Sequence, residues 1–198
     1  MENRDKLFSY FGLNINESRT IRQISLDIKV PHATLSRLIK KLKKENLIST
    51  KNVGKSIVCS LNKNNSITKQ YLVLASESYK NYFLGKKPLT RKINDILKDS
   101  NSYSAILFGS YAASKEQKHS DIDLAFISNS KQKMKNLQYE LKAIEQIYDV
   151  EINTMIFTEN QFKDMLKAKQ ENVGKQILKN HVILHNPELF WNIVYGAL

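Results

Sequence analysis

The stretch that decides the fold runs from residue 107 to 128, LFGSYAASKEQKHSDIDLAFIS. Two apolar segments, YSAILF at 103–108 and IDLAFI at 122–127, read as strands on either side of it. Between them a Gly109-Ser110 turn precedes Asp121 and Asp123. Glycine lets a backbone approach a ligand, and Ser110 is placed to cap a helix beginning near Tyr111. Exposed N–H groups at such a turn can hold an anion. On a strand, side chains two apart share a face, so Asp121 and Asp123 point the same way, about 6.6 Å apart along the chain. Two like charges so placed favour a cation between them. A hard divalent ion would take both carboxylates together with phosphate oxygens.

Working outward, Leu89–Lys98 reads as an amphipathic helix before the first strand, and 131–148 as a helix after the second. The next strand is VEINTMIF, 150–157. Helices are expected at 161–166 and 172–178, a strand at 181–185, and a last helix after Asn186-Pro187. His181 and His185 lie four apart, but HVILH reads as strand, which excludes a helical zinc pair.

The other half of the chain differs in charge. Residues 1–90 hold 17 Lys and Arg against 6 Asp and Glu, a balance of +11, whereas residues 91–198 hold 14 against 13. A basic half joined to a neutral one suits a polyanion-binding module attached to something else, although a solvated lysine surface gives the same balance. Short helices are expected at 4–13 and 20–28, and Val30-Pro31 then starts a third, to about Asn46. Leu35, Leu38, Ile39 and Leu42 form its apolar stripe. Thr34, Ser36, Arg37, Lys40, Lys41 and Lys44 occupy the remaining surface. Two strands, 47–49 and 56–61, flank a basic tip, Lys51-Asn52-Val53-Gly54-Lys55. A helix at 66–83 carries Ile67, Tyr71, Leu72, Ala75, Tyr79, Tyr82 and Phe83 on one side, and Gly85-Lys86-Lys87-Pro88 marks the boundary.

Three helices and a basic hairpin resemble a winged helix-turn-helix. That resemblance assigns Thr34, Ser36 and Arg37 to groove contacts on double-stranded DNA, Lys40 and Lys41 to phosphates, and Lys51 and Lys55 to the wing. A homodimer is expected by the habit of such domains on palindromes.

The pattern Gly-Ser, ten residues, Asp-x-Asp resembles the nucleotidyltransferase superfamily of the DNA polymerase β type, in particular its minimal branch. The fold class expected is a two-domain α+β or α/β chain. A winged helix-turn-helix at 1–85 precedes a mixed β-sheet flanked by helices at 88–198. The resemblance implies transfer of an NMP group from an NTP, ATP foremost, to an acceptor hydroxyl. It implies Mg²⁺ or Mn²⁺ held by Asp121, Asp123 and Glu151, with Asp149 the alternative third acid, and phosphates cradled by Gly109 and Ser110. A partner toxin of the HEPN type is an acceptor it also implies. The run GSYAAS departs from a GSYARG-like pattern, with Ala113 and Ser114 replacing arginine and glycine. Lys115 and Lys118 follow; either could stand in for the arginine, and surface solvation is the preferred reading of both. The alternative reading is a DNA-binding regulator whose second half is inactive or senses nucleotide.

The start MENRDKLFSYFGL lacks the apolar core of a signal peptide, and no segment is suited to spanning a bilayer. The lone cysteine, Cys59, cannot pair within the chain and is expected to be a buried thiol, so the expected location is the reducing cytoplasm.

Overall fold

A computed structural model describes residues 1–97, 102–117 and 120–198, apart from the side chains of residues 131–133. The chain divides into two compact units, Met1–Tyr79 and Lys80–Leu198. The division falls within one helix, ahead of the Gly85-Pro88 segment.

The first unit contains, in order, α1 (Asn3–Leu13), β1 (Arg19–Thr20), α2 (Ile21–Asp27), α3 (His32–Lys44), β2 (Ile48–Val53), β3 (Ser56–Leu61) and most of α4 (Ser66–Leu84). Thr20 caps α2 by accepting from Gln23 N–H at 3.1 Å, which satisfies an otherwise open helix donor. Both α2 and α3 end with a residue in the left-handed region, Lys29 at φ 54° and Asn46 at φ 58°. The next N–H in each case reaches five residues back, Val30 to Ser25 and Leu47 to Leu42, closing the last turn. Leu35, Ile39 and Leu42 of α3 are buried as their spacing predicts, whereas Leu38, expected in the same stripe, is only half-buried; Leu7, Phe8, Phe11 and Ile24 are buried in the same unit. Each such side chain contributes roughly 1.5–3 kcal/mol by leaving water.

The hairpin is tighter than expected. β2 continues to Val53, which pairs with Ser56, so Gly54 and Lys55 alone form the turn, Gly54 at φ 58°. β1, too short to carry a periodic signal, adds a third strand in the order β1-β3-β2. Cys59 is buried and its thiol is pushed up to about 11 by burial, which keeps it protonated and inert. On α4, Leu72, Ala75 and Phe83 are buried and Tyr71 stacks on Phe8 at 5.0 Å, but Ile67 and Tyr82 are exposed. That correction follows from length: a five-turn helix does not keep every member of a broad stripe against one surface.

The second unit contains α5 (Pro88–Ile96), β4 (Tyr103–Phe108), α6 (Gly109–Ala112), β5 (Ile122–Ser128), α7 (Lys131–Tyr148), β6 (Ile152–Phe157), α8 (Glu159–Lys167), α9 (Val173–Lys179), β7 (Val182–His185) and α10 (Pro187–Tyr195). Lys98, the expected end of α5, lies outside the described residues. The strands form a mixed sheet in the order β6-β5-β4-β7, with β5 and β6 parallel and the other pairs antiparallel. β4 and β5 are central, and β4 is buried along its whole length, which is why it reads as a continuous apolar run.

The register settles which residues share a face. Ile122 pairs with Ile152, Asp123 with Asn153 and Ile127 with Phe157. Ile152 and Thr154 meet α7, where Gln138 donates to Thr154 at 3.3 Å and Glu145 accepts from Ile152 N–H at 2.7 Å. The opposite face carries Asp123 and Asn153 at one end and Phe157 at the other, where Phe162 of α8 packs on Phe157 and Phe190 of α10 packs on Phe162. Asn172 and Asn186 cap α9 and α10, and Thr158 with Gln161 forms a capping box on α8. α10 turns its apolar side into the core: Phe190, Trp191, Ile193 and Val194 are all buried.

Candidate active site

The Gly109 turn is held from two sides. β4 ends at Phe108, and the chain reverses into α6 with Gly109 at φ 69°, a conformation L-residues rarely adopt. Asn180, at the end of α9, donates to the Gly109 carbonyl at 2.9 Å. From the other side the Asp123 carboxylate presses on the glycine. A Cβ at position 109 would overlap Asp123 Oδ2 and lie 3.1 Å from its Cγ. The expected capping role of Ser110 is corrected here. The helix begins at Gly109, Phe108 is its N-cap, and no side chain caps it.

α6 closes by the same device as α2 and α3. Ser114 adopts φ 52°, its N–H bonds the Tyr111 carbonyl at 3.1 Å, and Lys115 N–H bonds that of Ser110 at 2.9 Å. The position where the resemblance has glycine is therefore one whose backbone asks for glycine. Beyond it, Lys87 pairs with Glu116. Burial works against ionisation of Glu116, but the Lys87 ammonium outweighs it and holds the carboxyl below the usual range. Burial, then the Glu116 charge, raises the Tyr111 hydroxyl. Lys115 is exposed, and Lys118 lies outside the described residues.

Asp121 sits exposed immediately before β5, and Asp123 is half-buried within it. Burial, and next the charge of Asp121, raises the Asp123 carboxyl above the ordinary range, while the Asn153 amide offsets part of this. Asn153 Nδ2 also donates to Asp121 Oδ2 at 2.9 Å. One amide thus serves both acids.

β6 starts at Ile152, so Glu151 lies one residue outside the strand with its side chain exposed, and its carbonyl accepts from Ile122 N–H at 2.9 Å. Asp149 is the C-cap of α7, at φ 48°. Among the described residues no three His, Cys, Asp or Glu side chains group as metal ligands. The expected three-acid cluster is not found among the described residues; the register instead sets Asn153 beside Asp123, with the Asn153 amide on Asp121. Asn153 and Asn180 are the members of this site that sequence reasoning missed. Asn153 shares the parity of Glu151, a signal that could have raised it as a candidate.

The donor set suits a hard cation: two carboxylates on one face, beside a turn whose backbone nothing larger than glycine would leave open.

Residues 91–188 match the family model described as polymerase beta, nucleotidyltransferase. The match spans the turn, both aspartates and all four strands of the second unit, and it supports a nucleotidyltransferase domain of the polymerase β type there. No match to a curated protein or to a solved structure was found. At the level of the family, the nucleotidyltransferase match points to nucleotidyl transfer. Among the described residues no helix is long and apolar enough to cross a membrane.

In the first unit, Arg37, Lys40 and Lys41 are exposed on α3, and Thr34 and Ser36 are half-buried near its start. Lys51 and Lys55 are exposed on the hairpin, Lys55 within its turn. Lys41 lies 4.0 Å from Glu45, an exposed pair worth little energetically.

Proposed function

We propose that the second unit is a metal-dependent nucleotidyltransferase and that the first unit binds double-stranded DNA. The observation that carries the enzymatic reading is the Asp121–Asp123 pair set against the Gly109-Ser110 turn, within a segment that matches the nucleotidyltransferase family. In the reaction an acceptor hydroxyl oxygen bonds the α-phosphorus of an NTP. The bond from that phosphorus to the bridging oxygen breaks, and pyrophosphate leaves with the electron pair.

Asp121 and Asp123 would hold the cation. Mg²⁺ or Mn²⁺ would there supply neutralisation of the triphosphate charge and polarisation of the acceptor oxygen. Gly109 and Ser110 keep main-chain N–H groups and a hydroxyl near the phosphates. Asn180 fixes that turn through the Gly109 carbonyl. Glu151, exposed ahead of β6, is the carboxylate assigned to the acceptor's proton. The acceptor we favour is a hydroxyl on a partner protein, of the HEPN-toxin type, with ATP as donor.

Support for DNA binding comes from element order and charge. A helix, a short strand, two helices and a hairpin follow one another as in a winged helix-turn-helix, and the +11 balance falls on that half. Arg37→Ala, Lys40→Ala and Lys41→Ala together should weaken promoter binding in a mobility shift, and loss of the two phosphate-facing lysines should flatten its salt dependence by about two ions.

The test is incubation with Mg²⁺ and α-phosphate-labelled nucleotides, alone and with the product of the adjacent gene. Transfer of label supports the enzyme. Promoter binding without transfer supports a regulator whose second unit only senses nucleotide. That second reading is favoured by one observation, Ala113 and Ser114 in place of arginine and glycine.

A further inference from the structure

We infer that Asn153 is the third side chain of this site and sets its charge, so that the site takes a divalent cation together with a nucleoside triphosphate rather than alone. The inference rests on the nucleotidyltransferase reading and deepens it.

Three observations lead there. Asn153 is paired in register with Asp123, so the two side chains stand next to each other on one face of adjacent parallel strands. Its amide donates to Asp121 Oδ2 at 2.9 Å, so one side chain touches the pair from the neighbouring strand. Glu151, which could have added a third negative charge, lies outside the strand with an exposed side chain.

Cation affinity at an oxygen site rises with the number of ligand charges. With two carboxylates and a neutral amide, Asp121 and Asp123 are kept side by side without a cation, because the N–H donor relieves part of their repulsion. An aspartate at 153 would instead add a third charge beside Asp123. The ion would then be held without help from a polyphosphate, and it would be released slowly with product. Asn153 is in this sense a positioning residue: it orders the acids and leaves the final share of negative charge to the nucleotide.

The experiment measures Mn²⁺ binding by electron paramagnetic resonance on the full chain, with Mn²⁺ alone and with a non-hydrolysable ATP analogue. The wild type should bind Mn²⁺ alone weakly, on the order of millimolar, and about tenfold or more tightly with the analogue. Asn153→Asp should tighten binding of Mn²⁺ alone by about tenfold and shrink the gain from the analogue. Asn153→Ala should lower affinity in both settings, and Asn153→Gln should recover part of the loss. Glu151→Gln should change neither. Circular dichroism confirms that each variant is folded, and Asn153→Ala carries the test if Asn153→Asp is not.

Equal affinities for wild type, Asn153→Asp and Asn153→Ala, or a loss confined to Glu151→Gln, would overturn the role of Asn153 while leaving the transferase reading intact. Failure of the wild type to bind Mn²⁺ even with the analogue would overturn both.

Discussion

The Asp123 carboxylate rests against the α-carbon of Gly109, so the end of one central strand is shaped by a charge on its neighbour. Phe108, the last residue of β4, pairs with Asp123, and the turn that follows has room for hydrogen alone on that side. Gly109→Ala therefore meets two obstacles, a positive φ and an occupied volume. It should cost about 2–4 kcal/mol in urea denaturation. In the background of Asp123→Ala the same change should cost about 1–2 kcal/mol, since only the backbone term remains.

Asp123 should oppose folding at neutral pH. Its folded pKa is raised, first by burial and then by Asp121. Its favourable contribution is thus complete below the unfolded carboxylate value and is lost as pH rises through the folded one. Asp123→Asn should melt higher than the wild type at pH 7 while abolishing transfer. The gap should close at pH 3, and melting curves at the two pH values read this directly.

Ser114 carries a strain that a single substitution relieves. Its φ of 52° closes α6 through hydrogen bonds to Tyr111 and Ser110 carbonyls, geometry that glycine adopts without penalty. Ser114→Gly should stabilise the chain by about 1 kcal/mol in chemical denaturation. An unchanged midpoint would show that the turn accommodates serine freely.

Element types were legible where periodicity was strong. The apolar runs of β4 and β5 and the Leu35-Ile39-Leu42 stripe stand out because central strands and amphipathic helices repeat their apolar positions. β1 was not legible, since two residues carry no period. The acid pair was readable from spacing alone, as alternate residues on a strand share a face. Its third neighbour was not. Choosing between Glu151 and Asn153 needs the β5–β6 register, and parity alone leaves a slip of two residues undetermined. Asn180 was out of reach for a similar reason, because its bond to Gly109 crosses 71 residues.

His181 gives the second unit a pH-dependent stability. It is buried between α9 and α10, its Nδ1 lies 3.0 and 3.1 Å from the Ile177 and Leu178 carbonyls, and Phe190 and Trp191 pack on its ring. Carbonyls only accept, so Nδ1 carries the proton in the neutral ring. Burial lowers its pKa to about 4. The contribution is complete above about pH 6.5 and is lost as pH falls towards 4. Between pH 7 and 4 the wild type should lose on the order of 3 kcal/mol more than His181→Leu in urea denaturation.

Asp121 and Asp123, beside the Gly109 turn, are proposed to hold a cation-bound nucleoside triphosphate. Titration calorimetry with Mg²⁺ and a non-hydrolysable ATP analogue tests it most directly. The account predicts saturable uptake by the wild type that needs both Mg²⁺ and nucleotide and disappears in Asp121→Asn/Asp123→Asn. Absence of heat with the wild type, or equal uptake by the double variant, would contradict it.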